Sequence, residues 1–183
     1  MSRIPAVSLP ASDPKAQRLL DAVKSSLGAT PNLFRVAAQS PAALNALVGF
    51  SGALAGGALK AKARESIALA VAEANACDYC LSAHTALGKG AGLSEADIAA
   101  ARDARSADPK TAAIVRLART LVDTRGRATD SDLTAARNAG LSDGEIVEVV
   151  ANVVVNIFTN YLNHVAGTDI DFPVVRAGHV LAA

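Results

Sequence analysis

The chain has 183 residues, a formal net charge of +1 and a sequence pI near 7.8, so it lacks the basic footprint of a nucleic-acid or anionic-membrane binder. Hydrophobic residues make up 51% of the chain but aromatic residues only 3%, so the core must consist mainly of Ala, Leu, Val and Ile. Charged and amide residues interrupt each apolar stretch, which argues against a membrane span. The length fits one domain, and the surplus apolar surface predicts a homo-oligomer.

The first 13 residues predict an extended arm, because Pro5 and Pro10 interrupt them and Pro14 suits the first turn of a helix. They contain no continuous apolar segment typical of a secretory signal. We therefore expect a cytoplasmic protein in which residues 14–183 form a single all-helical domain.

Capping signals divide that domain into predicted helices, and no segment favours a strand pair. Some starts place a capping side chain before a proline. They are Asp13-Pro14, Thr30-Pro31, Ser40-Pro41 and Asp108-Pro109. Others resemble a capping box, as at Ser94 and Ser142. The predicted helices are 14–27, 31–39, 41–55, 61–74, 77–90, 95–104, 109–125, 130–139 and 143–166.

The last predicted helix is the least regular, because its β-branched residues between 147 and 158 favour a strand by propensity. Its length and its start at Ser142 favour a helix. The same region suggests an internal repeat: Glu65 precedes His84 by 19 positions, and Glu145 precedes His164 by the same number. We therefore predict a duplicated helical hairpin of which one copy keeps the cysteines.

Both cysteines of the chain lie in one short stretch with a histidine. At about 100° per residue, Cys77, Cys80 and His84 fall within roughly 60° of one helix face. A neutral imidazole can accept a thiol proton, and two thiols at this spacing can form a disulfide after one is oxidised. The pattern therefore predicts a two-cysteine thiol peroxidase or disulfide reductase that needs no cofactor.

Two other interpretations of the stretch remain open. Cys77, Cys80 and His84 could bind zinc if His164, a carboxylate or water supplied a fourth ligand. Alternatively, the cysteines could be small buried side chains beside a core histidine. Neither a second Cys-x-x-Cys nor a pair of histidines accompanies the motif.

The carboxylate partner of His84 depends on whether the chain bends at Asn75-Ala76. On a continuous helix Glu73 shares the face of Cys77, and Glu65 lies about 18 Å away along the axis. A bend would bring Glu65 over the thiols and place Cys77 at a helix N-terminus, where the dipole favours a thiolate. We predict the bend and Glu65. The four-residue spacing to His84 favours Cys80 over Cys77 as the attacking thiol.

The motif as a whole resembles a known family. Glu65, eleven residues, Cys77-Asp-Tyr-Cys80, three residues and His84 are similar to the alkylhydroperoxidase D-like branch of the carboxymuconolactone decarboxylase superfamily. The tail from Asn160 to Pro173 is similar to its peroxidase-related members, and the resemblance covers roughly residues 40–175.

The resemblance implies an all-α fold, homo-oligomers and peroxide reduction by the cysteine pair. By position, Cys80 would be peroxidatic, Cys77 resolving, and His84 with Glu65 a proton relay. One departure is Tyr79, which stands where the well-studied peroxidase has a second histidine between its cysteines. Decarboxylases of the superfamily lack the cysteine pair.

These observations predict a thiol peroxidase that reduces hydrogen peroxide or organic hydroperoxides and is recycled by an external thiol or dithiol. We expect no nucleic-acid or membrane partner. One alternative keeps the fold and uses His84 and Glu65 for acid/base chemistry on a small lactone or carboxylic acid. Another is a non-enzymatic helical oligomer with a zinc-stapled hairpin.

Overall fold

The structure is a computed structural model that describes residues 2–178. Over this range the chain is helical and has no strand, so the all-α prediction is confirmed. The helices are α1 (Pro14–Leu27), α2 (Asn32–Ala37), α3 (Pro41–Ala55), α4 (Ala61–Ala74), α5 (Asp78–Gly90), α6 (Glu95–Arg102), α7 (Pro109–Asp123), α8 (Asp130–Asn138) and α9 (Asp143–Ala166).

The N-terminal arm is non-helical in residues 2–13, and its start lies against the end of α9. The backbone N–H groups of Arg3 and Ile4 donate to the Ala166 carbonyl at 2.6 and 3.1 Å. The single domain proposed for residues 14–183 stays a prediction, and its last residues, 179–183, lie outside the described part of the chain.

The predicted helix starts are largely confirmed. The side chains of Asp13, Ser40 and Asp108 accept backbone N–H groups of the first turns of α1, α3 and α7. Ser94 and Ser142 form the predicted capping boxes. These short polar side chains satisfy N–H groups that have no partner inside the helix.

The start predicted at Thr30-Pro31 is wrong. Pro31 is extended, with ψ of 150°, and α2 begins at Asn32 with no capping side chain from the preceding residue. The carboxylate of Asp171 instead accepts the Asn32 N–H at 2.8 Å. A residue 139 positions away therefore caps this helix, which no local pattern could indicate.

Several other boundaries differ by one or two residues. The helices α2, α6, α7 and α8 end earlier than predicted, and α5 begins at Asp78 rather than Cys77. Just after the ends of α6 and α7, Ala104 and Arg125 have positive φ angles of 53° and 56°. A left-handed residue cannot continue a right-handed helix, so each marks the exit of the chain.

Helix α4 lies at the centre of the fold and contacts α5, α6, α7 and α9. Each residue from Ser66 to Glu73 is buried. Ile67 and Val71 pack into a hydrophobic cluster with α7 and α9, whereas Leu69 packs into another with α5 and α6. A helix buried on several faces at once provides a rigid support for the side chains that it carries.

The repeat alignment does not describe a duplicated hairpin. Glu65 and His84 lie on two antiparallel helices, but Glu145 and His164 lie on the single helix α9. Helix α4 stops at Asn75 before a left-handed residue, and nothing comparable interrupts the apolar residues of α9. That part of the fold prediction is wrong because the second copy lacks the turn.

Helix α9 is long and apolar enough to cross a membrane by length and composition, with a mean hydropathy of 1.3 over its most apolar window. It is also a core helix, because it packs against α2, α3, α4, α5 and α7. One face is buried and carries four asparagines. The opposite face exposes large apolar side chains, which we call the α9 stripe. It comprises Val147, Val150, Val154, Phe158, Tyr161 and Val165.

Candidate active site

The predicted bend between α4 and α5 is present. Helix α4 ends at a cap residue, Asn75, and Ala76 turns the chain with a φ of 50°. Cys77 then caps α5, because its Sγ accepts the backbone N–H of Cys80 at 3.4 Å. Cys77 therefore precedes α5 rather than lying on one of its faces. Its sulfur contacts Cys80 because it caps the first turn of the helix.

The bend places α4 beside α5 and brings Glu65 to His84. The Oε2 atom of Glu65 lies 2.8 Å from Nδ1 of His84, and both side chains are 21% exposed. Burial lowers the pKa of His84, but the charge and hydrogen bond of Glu65 and the nearby Cys80 outweigh it and raise the pKa above 6.5. The arrangement favours an imidazolium that points its other nitrogen away from the carboxylate.

Glu73, the competing carboxylate, binds elsewhere. Its Oε2 accepts from Nε of Arg102 at 2.7 Å, and its Oε1 accepts from the backbone N–H of Gly178 at 2.7 Å. These contacts hold α6 and the C-terminal segment against α4. The structure therefore brings Glu65, and not Glu73, to His84.

The pKa values of the two thiols are shifted in opposite directions. Cys77 and Cys80 are free cysteines that are only 1% and 2% exposed. The hydrogen bond with Cys80, together with burial, raises the pKa of Cys77. Burial also raises the pKa of Cys80, but the Cys77 hydrogen bond and the charge of His84 outweigh it and lower that pKa to about 7. Cys80 is thus the thiol suited to ionise, with Cys77 as its hydrogen-bond donor.

One asparagine of α9 contacts Cys80 and another lowers its pKa, and residue spacing within α5 could not reveal them. The Nδ2 atom of Asn163 donates to Sγ of Cys80 at 3.3 Å. Asn160 also lowers the pKa of Cys80, and its Oδ1 accepts from Asn75 at 2.9 Å. The only sequence signal was their position in the tail that resembles peroxidase-related proteins.

A cavity of about 350 Å³ lies against this cluster. Cys80, His84 and Glu65 line it, but Cys77 does not. Most of the wall is apolar, and among the described residues the only other charged side chain that lines it is that of Arg64. The apolar wall includes Leu33, Phe34, Leu47, Leu87, Val155 and Phe172. An apolar cavity with a few converging polar groups is the usual form of a small-molecule site.

Tyr79 stands where the well-studied peroxidase has a second histidine, and hydrogen bonds and ring packing hold it in place. Its hydroxyl accepts the backbone N–H of Leu33 at 3.0 Å and donates to Oδ1 of Asp171 at 2.8 Å. The ring packs edge-on against Phe172 with centroids 5.9 Å apart. Burial raises the pKa of Tyr79, so the residue stays protonated and does not replace a histidine as a base.

No group of three or more metal-ligating side chains is close enough to hold a metal ion within residues 2–178. His164, the fourth ligand considered for zinc, uses its Nε2 to contact the Asn75 carbonyl at 2.9 Å. The described geometry therefore does not bring together the ligand set that the zinc interpretation requires.

Comparison with known proteins supports the resemblance. In sequence, residues 41–123 match the carboxymuconolactone decarboxylase family. Among solved structures, the AhpD-core, peroxidase-related protein from Ralstonia eutropha JMP134 superposes with a TM-score of 0.83 at 23% identity, covering 93% of this chain and 92% of that one. Residues 41–123, which carry both cysteines, are therefore similar to the carboxymuconolactone decarboxylase family, and the fold of the chain is AhpD-like. No curated protein shows a significant sequence match.

Other relatives share this fold. A peroxidase-related protein from Silicibacter sp. TM1040 has a TM-score of 0.77 at 22% identity, with 91% of each chain covered. The debrominase Bmp8, with 2,3,4-tribromopyrrole bound to a substituted form, has a TM-score of 0.79 at 16% identity, covering 92% of this chain and 91% of that one. At these identities the likeness establishes the fold and leaves the reaction open.

Proposed function

We propose that this AhpD-like protein is a thiol peroxidase that reduces hydrogen peroxide or organic hydroperoxides. The observation that carries the proposal is the position of Cys80, an acidic thiol that lines an apolar cavity beside the Glu65–His84 pair. A low thiol pKa at a site open to a small molecule is what distinguishes a reactive cysteine from a structural one. Cys77, with its raised pKa and no share in the cavity wall, fits the second step.

In the proposed first step the Cys80 thiolate attacks the terminal oxygen of the hydroperoxide. An S–O bond forms, the O–O bond breaks and the alkoxide leaves as the alcohol after it takes a proton from His84. Glu65 would orient the ring and stabilise the imidazolium before that transfer. Cys80 is then a sulfenic acid, and the sulfur has donated the two electrons that reduce the peroxide.

In the second step Cys77 would resolve the sulfenic acid. Its sulfur forms the S–S bond with Cys80, and the displaced hydroxide leaves as water with the proton of the Cys77 thiol. An external thiol or dithiol then reduces the disulfide by exchange and is itself oxidised. A cytoplasmic location, which would supply such reductants, is part of the proposal.

We also propose that copies of the chain associate through the α9 stripe. Six large apolar side chains follow one face of a helix that the fold leaves uncovered on that side. Exposed apolar surface of this extent is typical of subunit interfaces. Light scattering of the wild type and of Phe158→Asp should show an oligomer and its dissociation, and a monomeric wild type at micromolar concentration would contradict the proposal.

The decisive experiment is peroxide consumption coupled to a dithiol reductant. The wild type should turn over hydrogen peroxide or cumene hydroperoxide, whereas Cys80→Ser and Cys77→Ser should not complete the cycle. Titratable thiols of the wild type should fall by two after a single equivalent of peroxide. No thiol loss in the wild type would refute the proposal.

One alternative has its own observation. Glu65 and His84 form a pair at the cavity that does not need a thiol for acid/base chemistry. A lactone or small carboxylic acid could then be the substrate. Turnover of such a compound by a variant that lacks both cysteines would favour this function over the peroxidase.

A further inference from the structure

Two asparagine side chains lie behind Cys80, on the side away from the cavity. Asn163 and Asn160 come from successive turns of the buried face of α9 and are 5% and 0% exposed. Asn163 Nδ2 donates to Cys80 Sγ at 3.3 Å. Neither asparagine lines the cavity that Cys80 lines. The sulfur therefore has a substrate side and an amide side.

The hydrogen bonds of these amides are incomplete. Asn160 Nδ2 and Asn163 Oδ1 are buried and have no hydrogen-bond partner among the described residues. The orientation of Asn160 is set by its Oδ1, which accepts from Asn75 at 2.9 Å. A buried amide without a partner costs stability, so its presence at a reactive sulfur calls for a functional reason.

We propose that Asn163 and Asn160 form an amide cradle that stabilises the Cys80 thiolate and is required for its reaction with peroxide. The inference deepens the proposed peroxidase function and rests on it. Amide N–H groups bind an ionised acceptor more strongly than a neutral one, so the cradle favours the charged state of the sulfur. Asn163 touches the reacting atom and is a catalytic residue in this sense, whereas Asn160 supports it.

The amide cradle provides Cys80 with hydrogen-bond donors that do not lose their protons during the reaction, unlike His84. The titratable groups near the sulfur are Cys77, which precedes α5, and Tyr79 and His84 on α5, and Glu65 faces it from α4 only through His84. His84 is also the proposed proton donor to the leaving group, so its charge is lost during the reaction. The amides of α9 carry no transferable proton and keep their dipoles throughout the step.

The test measures ionisation of Cys80 without any peroxide. In a Cys77→Ser background Cys80 is the single remaining thiol, so thiolate absorbance at 240 nm and the rate of alkylation by iodoacetamide report on it alone. Asn163→Ala should slow alkylation at pH 7 by about five- to tenfold, the loss expected when the free energy of ionisation of Cys80 rises by about 1.4 kcal/mol. The midpoint of the pH profile should move upward. Asn160→Ala should act in the same direction with a smaller effect.

Asn156→Ala is the matched control for ionisation. It is also a buried asparagine of α9, but its Nδ2 donates to the Asn152 carbonyl of its own helix at 2.8 Å. It should leave the pH profile of Cys80 in place. Asn163→Ser, too short to reach the sulfur but able to bond to a helix carbonyl, replaces Asn163→Ala if the alanine variant does not fold.

The outcomes separate the cradle from the peroxidase. An unchanged Cys80 profile in the folded Asn163 variants would overturn the cradle even if the wild type reduces peroxide. A shifted profile in a protein that consumes no peroxide would leave the amide contact standing and refute its catalytic role. A shift together with an equal fold-loss of single-turnover peroxide reduction at pH 7 supports the proposal.

Discussion

Replacing Glu65 by glutamine tests the proposed proton relay with almost no change of shape. The substitution removes the charge that lies 2.8 Å from Nδ1 of His84 and that raises the pKa of the ring. A hydrogen bond to a charged group contributes about 1.5–3 kcal/mol. Since about 1.4 kcal/mol is a factor of ten, Glu65→Gln should slow oxidation of Cys80 about 10- to 150-fold.

The assay is single-turnover oxidation in a stopped-flow instrument, with one equivalent of cumene hydroperoxide and loss of thiolate absorbance as the signal. Glu73→Gln is the matched control, because Glu73 binds Arg102 and Gly178 instead of the relay. It should leave the oxidation rate nearly unchanged and lower the free energy of unfolding by about 1–3 kcal/mol. A large rate loss from Glu73→Gln alone, or small and equal losses from both, would refute the assignment.

The pH dependence of the defect distinguishes two roles of Glu65. If the carboxylate only promotes ionisation of Cys80 through His84, the Glu65→Gln rate should approach that of the wild type at high pH, where the thiolate forms unaided. If the imidazolium also protonates the leaving alkoxide, the defect should persist there. The structure favours a persistent defect, because His84 lines the cavity where the leaving group would lie.

Three further results are expected. Cys77→Ser should still form a trappable sulfenic acid with peroxide, and Cys80→Ser should not; the reverse would exchange their roles. In the wild type, alkylation of Cys80, followed by peptide mass spectrometry, should rise with pH to a midpoint near 7, since its pKa is lowered to about 7, whereas a midpoint near 9.0 would mean an ordinary thiol. Tyr79→Phe should lower the free energy of unfolding by about 1–3 kcal/mol in a denaturant titration, because the buried Leu33 N–H loses its acceptor and Asp171 its donor; an unchanged value would show that water satisfies them.

Much of the helical order could be predicted because its signals are local. Asp13, Ser40 and Asp108 each cap the helix that follows at once in the chain. The bend at Asn75-Ala76 is predicted by the resemblance that pairs Glu65 with His84 and by the helix N-terminus that a bend gives the cysteines, whereas the repeat that also favoured it is absent from the structure.

The features that sequence reasoning missed depend on distant parts of the chain. The cap of α2 comes from Asp171, and the amide that contacts Cys80 comes from Asn163. The predicted repeat is wrong because its evidence was purely local. An equal spacing of the Glu and His residues is compatible with a hairpin and also with one straight helix. Spacing fixes the relative position of two residues only when the path of the backbone between them is known.

The opposite pKa shifts of Cys77 and Cys80 follow from the turn between α4 and α5, which gives the two thiols different neighbours. Cys77 lies outside the helix, where it contacts Cys80 but neither His84 nor the cavity. Cys80 lies within the first turn, where the helix N-terminus, His84 and the α9 amides all favour negative charge. The turn at Ala76 thus separates the sulfur that we propose attacks from the sulfur that we propose resolves, and a variant that straightened it would be expected to lose both the Glu65 contact and the difference in pKa.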